Sequence, residues 1–204
     1  MNNELEQSAS KKKDEAAGFL FDAIEMFAWS LAILLLIFTF VLRHCRVEGA
    51  SMENTLQNGE TLVLYSLAYQ PKQDDIIVFH LTDEDPDSEK MLVKRVIATG
   101  GQTVKIDFKN NTIHVDGILY EDKHAVLKNN ADEIVNRYLA LRPNWNYDAK
   151  TDTMTATVPE GHLFVLGDNR NFSRDSRDAS VMFVDERCVL GKVILRLSPF
   201  TVFS

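Results

Sequence analysis

Residues 26–42 read MFAWSLAILLLIFTFVL, seventeen positions without a charge, and they divide the chain into two kinds of polymer. At about 1.5 Å per residue the stretch makes roughly 26 Å of helix. Ala23 and Ile24 extend it to the thickness of a bilayer core if Glu25 snorkels to the interface. Phe27 and Trp29 lie near one end, where amphipathic rings favour the membrane–water boundary. A buried core helix needs only one apolar stripe, whereas this stretch is apolar on every face. A cleaved signal peptide has a shorter apolar run and a small-x-small site close behind it; here Arg43, His44 and Arg46 follow directly. The reading is an uncleaved signal-anchor over 23–42. Lys11, Lys12 and Lys13 precede it and only Arg43 and Arg46 follow closely, which predicts a cytoplasmic tail at 1–22 and an extracytoplasmic domain at 43–204.

Outward from the span, the composition is ordinary. Of 204 residues, 45% are hydrophobic and 25% charged, which excludes wholesale disorder, collagen-like repeats and a multi-span membrane protein. The net charge is −8, and both the segment through Leu42 and the remainder carry more acid than base. No nucleic-acid partner is expected from such a surface. Two cysteines, Cys45 and Cys188, make no disulfide scaffold, and without HExxH or paired cysteine motifs no metal or cofactor is expected.

The remaining chain predicts strands. Residues 61–65, 76–80, 91–98, 103–107, 112–115, 153–158, 163–166 and 189–197 are rich in Val, Ile, Leu and aromatics. Asn110-Asn111 and Asp116-Gly117 mark tight turns. One segment differs: Asn130 caps, Asp132 and Glu133 suit a helix N-terminus, and Ile134, Val135, Tyr138, Leu139 and Leu141 recur at helical spacing before Pro143. The predicted fold class is mainly β: an antiparallel β-sheet catalytic domain with a small helical insertion at 129–150, preceded by one N-terminal transmembrane helix.

Three segments concentrate reactive chemistry. Ser51, in GASMENTL (49–56), lies nine residues beyond Leu42, so an extended chain keeps it within about 32 Å of the membrane boundary. Taken alone, it reads as an ordinary loop serine. Lys94, in MLVKRVIATGG, shares a strand face with Leu92 and Val96. Burial there would lower its pKa and free an amine able to take a proton from a serine, although a solvent-facing lysine is the commoner outcome. Residues 167–177, GDNRNFSRDSR, pack two carboxylates, three arginines and two serine hydroxyls behind the apolar LFVL. Such density suits a wall of interlocking ion pairs and hydrogen bonds.

In order and wording these segments resemble type I signal peptidase, the membrane-anchored serine protease that removes signal peptides. The resemblance runs from the signal-anchor to Leu197, and the single span and short domain are similar to the Gram-positive type. It implies Ser51 as nucleophile and Lys94 as general base. Ser173 would position the lysine amine, and Asp175 with Arg177 and Asp168 with Arg95 would brace the site. It implies signal-peptide-bearing pre-proteins as partners, cut after small-x-small sites and bound as an extended strand at a sheet edge, with membrane lipid around the anchor. Met52, Ile76 and Val78 are the candidates for lining the substrate pockets. An oligomeric state is not implied. The family usually has proline at Asn54, so the turn after Ser51 is expected to be less rigid. Asp74 and Ala98 replace common glycines, Gln102 replaces an acid, and Gly49 stands where the larger type has an assisting serine.

Other classes compete. A non-catalytic, membrane-tethered assembly factor of the same fold, as in pilus-associated relatives, would not need both Ser51 and Lys94. A self-cleaving serine/lysine regulator would need a DNA-binding domain where the span lies. A serine–histidine triad lacks support, since no GxSxG occurs and His44, His80, His114, His124 and His162 form no nucleophile-elbow pattern.

Overall fold

All but the last two residues of the apolar stretch lie within a single 39-residue helix, α1 (Asn2–Phe40). Its longest apolar part is Gly18–Thr39, 22 residues with no side chain buried. An all-round apolar surface facing outward is what a bilayer, not a protein core, would cover. The helix ends two residues earlier than the sequence reading of 23–42: Leu42 already opens strand β1 (Leu42–Arg46). The computed structural model describes residues 2–81, 90–125, 146–178 and 180–203. It falls into two units, residues 1–42 and 43–204.

The second unit is built from two antiparallel sheets. After β1 come β2 (Thr61–Tyr65), β3 (Ile76–Leu81) and β4 (Lys90–Thr99). Strands β5 (Thr103–Asp107), β6 (Thr112–Val115), β7 (Ile118–Leu119), β8 (Asn146–Asp148) and β9 (Thr153–Thr157) follow. The chain then returns through β10 (His162–Leu166), β11 (Val184–Asp185), β12 (Val189–Arg196) and β13 (Thr201–Val202). The large sheet has the order β1-β2-β12-β3-β4-β10-β11, with β13 on β12; the small one is β7-β6-β5-β9-β8. The expected helix of the 129–150 insertion lies outside the described residues, and residues 146–148 at the end of that insertion form strand β8.

Local chemistry explains the crossings. Between β4 and β5, Gly100-Gly101 passes so close to Glu160 and Gly161 that a Cβ on Gly100 would stand 3.0 Å from the Glu160 backbone, and Gly101 has φ +83°. The two predicted hairpin turns form, with left-handed Asn111 (φ 54°) in one and Asp116-Gly117 (φ 51° and 80°) in the other. Strand β3 is buried on both faces: Ile76 and Val78 join Val47, Met52, Leu56, Leu62, Leu64 and Val193. Ile77 and Phe79 join Leu81, Val96, Leu163 and Val165 on the other side. A third cluster joins the sheets, packing Ile97, Phe164 and Leu166 against Val104, Ile106, Val115 and Met154. β4 therefore runs through the middle of the core, flanked by β3 and β10.

Candidate active site

Ser51 begins a helical turn. Glu53 N–H donates to Ala50 O at 3.1 Å and Leu56 N–H to Met52 O at 2.8 Å. Met52 and Leu56, four residues apart on this turn, are 1% and 0% exposed and plug it into the core. Ser51 is left half-buried at the rim.

Lys94 arrives from β4. Its in-register partner on β3 is Ile77, and Leu92 and Val96 occupy the same strand face. The side chain is 1% exposed. Its Nζ lies 2.7 Å from Ser51 Oγ and 2.7 Å from Val93 O. Burial pushes the amine down from its ordinary value to about 8, against the opposing pull of the Asp175 and Asp168 charges. Among the described residues no carboxylate is in contact with it. Near pH 8 about half of such a lysine is neutral, against less than about one in a hundred for an exposed one.

Residues 167–177 wall the site, tied to β10 by Ser176, whose Oγ accepts from Val165 N–H at 2.8 Å. Asp168, fully buried, accepts from Arg95 Nε at 2.9 Å and Nη2 at 2.7 Å, and from Thr55 Oγ1 at 2.5 Å. Asp175, also fully buried, accepts from Arg177 Nε at 2.8 Å and Nη2 at 2.9 Å and from Gly167 N–H at 3.0 Å. Burial alone would raise the Asp175 pKa; the charge and hydrogen bonds of Arg177, with help from Ser173 and Gly167 N–H, outweigh it and hold the carboxyl below its usual range. Both expected carboxylate–arginine braces are therefore present as bidentate pairs.

Ser173 behaves differently from the expectation. Its Oγ is buried without a well-aligned hydrogen-bond partner, and the Lys94 amine bonds Ser51 and Val93 instead. Met52, Ile76 and Val78 lie together in one apolar cluster, each no more than 3% exposed. At that burial none of the three presents an open surface.

Several residues escaped the sequence reading. Asn169 donates its backbone N–H to Ser51 O at 3.0 Å and its side-chain amide to Ala50 O at 3.0 Å, gripping the Ser51 turn by two carbonyls. Gly167 permits this approach, since a Cβ there would meet Ser173 Oγ at 2.1 Å and Ser51 O at 2.5 Å. Arg196 donates to Thr55 O at 3.0 Å and pairs with Glu60, holding the far end of the turn. Asn169 and Gly167 were visible as parts of GDNR; Arg196 carried no signal, because its partners are distant in sequence.

Comparison with known proteins bears on this arrangement. The family model described as Signal peptidase, peptidase S26, matches residues 20–198. Signal peptidase IB of Staphylococcus aureus is 29% identical over 190 residues, covering 91% of this chain and 93% of the relative. A protein described as probable signal peptidase I-1 of Synechocystis sp. is 31% identical over 188 residues, covering 89% and 84%. A crystal structure of a signal peptidase I from Enterococcus faecalis V583 matches with 28% identity and a TM-score of 0.40, covering 61% of this chain and 97% of that one. With nine-tenths of the chain aligned to such relatives and the family model spanning both helix and sheets, the chain belongs to the peptidase S26 family, and within it to the type I signal peptidases.

Proposed function

We propose that this membrane-anchored signal peptidase cleaves pre-proteins with Ser51 as nucleophile and Lys94 as general base. The observation that carries the reading is the 2.7 Å contact between Ser51 Oγ and an Nζ that is buried, touches no carboxylate among the described residues and is shifted to about 8. A neutral amine accepts the Ser51 hydroxyl proton as Oγ adds to the scissile carbonyl carbon. The resulting oxyanion is met by Ser51 N–H, which no described hydrogen bond engages. Collapse expels the new amine, protonated by the Lys94 ammonium, and leaves an ester on Ser51. Lys94, neutral again, takes a proton from water as the water oxygen adds to the ester; collapse returns that proton to the leaving Ser51 Oγ, and the released acid loses its own proton to solvent as the carboxylate. While Lys94 carries its extra proton, the buried Ser173 hydroxyl beside Asp175 is the acceptor that would steady it. Asp168–Arg95 and Asp175–Arg177 hold the walls.

The substrate enters as an extended strand, with small residues at the first and third positions before the cut, above the floor of Met52, Ile76 and Val78. α1 spans the membrane with the N-terminus in the cytoplasm and Arg43–Ser204 on the outer side. Labelling of single cysteines introduced on either side of the span by a membrane-impermeant thiol reagent tests this topology.

The chemical test compares wild type, Ser51→Ala and Lys94→Ala on a pre-protein in liposomes. Processing is expected from wild type alone, with kcat/KM rising tenfold per pH unit up to about 8 and flat above. Equal processing by all three sinks the dyad. No processing by pure wild type supports the non-catalytic assembly-factor reading instead.

A further inference from the structure

Arg170, in the middle of the 167–177 wall, has a role outside the two expected braces. Its side chain is 2% exposed and pairs with Asp122, itself 16% exposed, from the segment after β7. Burial lowers the Arg170 pKa, and Arg177 adds to that; Asp122 is the first of the charges that oppose it, ahead of Asp175 and Asp168. Asp175 is already engaged by Arg177 and Asp168 by Arg95, so Asp122 is the contacting carboxylate that neutralises this buried cation.

Arg170 is also a joint in the wall. Its Nε donates to Gly167 O at 3.0 Å, and its own carbonyl accepts from Arg177 Nη2 at 2.7 Å. The Gly167 peptide gives its N–H to Asp175 and lies against Ser51 O. The neighbouring Asn169 holds Ser51 O and Ala50 O. The segment bearing Asp122 is pinned a second time, by the Tyr120 hydroxyl donating to the Asp74 carboxylate; the carbonyl of Asp74 accepts from Arg95 Nη1 at 2.8 Å.

We propose that Asp122 is a positioning residue for the peptidase reaction: through Arg170 it fixes the loop that carries Asp175 and grips Ser51. The inference rests on the Ser51/Lys94 reading. Without the Asp122 carboxylate, Arg170 is a buried cation that competes with Arg177 for Asp175. That pulls the loop from register and weakens the negative field that partly sustains the Lys94 ammonium. The groups facing Lys94 are Ser51, Asp175 and Asp168; those facing Arg170 are Asp122, Arg177, Asp175 and Asp168.

The test uses the full chain in detergent, with rates normalised to the folded fraction from thermal unfolding. In Asp122→Asn, kcat is expected to fall about 10- to 100-fold while KM stays within about threefold, since the loss is of alignment and not of substrate contact. The midpoint of the kcat/KM profile moves to lower pH, and Asp122→Glu recovers both rate and midpoint. If Asp122→Asn does not fold, Asp122→Asn with Arg170→Met removes the unpaired cation, restores folding and remains slow. Wild-type kcat and midpoint in folded Asp122→Asn, or wild-type kcat in the double variant, overturn the proposal. Ser51→Ala run beside them separates the two ideas. Cleavage by that variant sinks the dyad, whereas its inactivity with an unperturbed Asp122→Asn sinks only the positioning role.

Discussion

Lys94 and Arg95 are consecutive residues of β4, and both are almost wholly buried, at 1% and 4% exposure. Strand alternation sends them to opposite faces of the sheet. On one face Lys94 meets aliphatic side chains, a serine hydroxyl and a carbonyl, with no carboxylate in contact among the described residues. On the other, Arg95 meets Asp168 through two parallel hydrogen bonds. Burial alone would lower both pKa values. For Arg95 the hydrogen bonds and charge of Asp168 overcome it and raise the value, whereas Lys94 remains depressed at about 8. One strand thus supplies a group that can lose its proton beside one that never does. Depth does not separate them: the lysine starts from a lower intrinsic pKa than the guanidinium and also lacks the contacting carboxylate.

The strongest way to break this contrast is to place a permanent charge on the unpaired face. Lys94→Arg keeps a cation but cannot deprotonate. Turnover is expected to fall at least about 10³-fold, as for loss of a general base, measured by pre-protein cleavage. Activity recovering above pH 10 would show that the arginine titrates and would break the argument.

Removing the carboxylate from the paired face tests the other half. Asp168→Asn leaves Arg95 buried without its counter-charge. Breaking a buried pair from one side typically costs about 3–5 kcal/mol, to be read from chemical denaturation of the full chain. A cost near zero would mean that water reaches Arg95.

Lys94→Met sharpens the comparison from the stability side. The folded lysine has a pKa of about 8, below its unfolded value of about 10.4. Between those two pH values the unfolded chain binds more protons than the folded one, so stability rises with pH. Below about pH 8 the full penalty persists, at most about 3 kcal/mol. The inactive Lys94→Met variant should be more stable by up to that amount at pH 7, with the advantage shrinking as pH climbs from 8 towards 10.5. Parallel stability curves for the two proteins over that range would contradict the shifted amine.

How much of this was legible beforehand depended on whether the cause was local in sequence. The apolar span, the β-rich domain, the two hairpin turns and the alternation that buries Lys94 follow from composition and period. The pairs Arg95–Asp168 and Asp175–Arg177 came from resemblance, since nothing in the spacing says that residues 95 and 168 meet. Asp122 and Arg196 were invisible, because Arg170, Thr55 and Glu60 come from loops remote from them in sequence. Asn54 shows how a local rule can mislead. Replacing the usual proline suggested a loosened turn, yet the backbone there has φ +86°, a conformation that proline, fixed near −65°, cannot adopt. Asparagine tolerates that region better than most residues, so here the turn is defined by a different geometry and not merely weakened.

The smallest expected effect lies where the two faces connect. Thr55 belongs to the Ser51 turn, yet its hydroxyl donates to Asp168 at 2.5 Å, so the carboxylate that pairs with Arg95 also holds the segment carrying Ser51. Thr55→Val preserves shape and removes only that donor. Asp168 keeps both Arg95 bonds, so the cost is that of one hydrogen bond to a charged acceptor, about 1.5–3 kcal/mol at most. Arg196 still holds the Thr55 carbonyl at 3.0 Å, and Asn169 still holds the carbonyls of Ala50 and Ser51. Turnover should therefore drop only a few-fold with an unchanged pH midpoint, because Lys94 sees the same charges. A midpoint that moves in Thr55→Val would mean that Asp168 shifts when its third donor leaves. The braced face would then tune the lysine directly, and the two faces of β4 would not act independently.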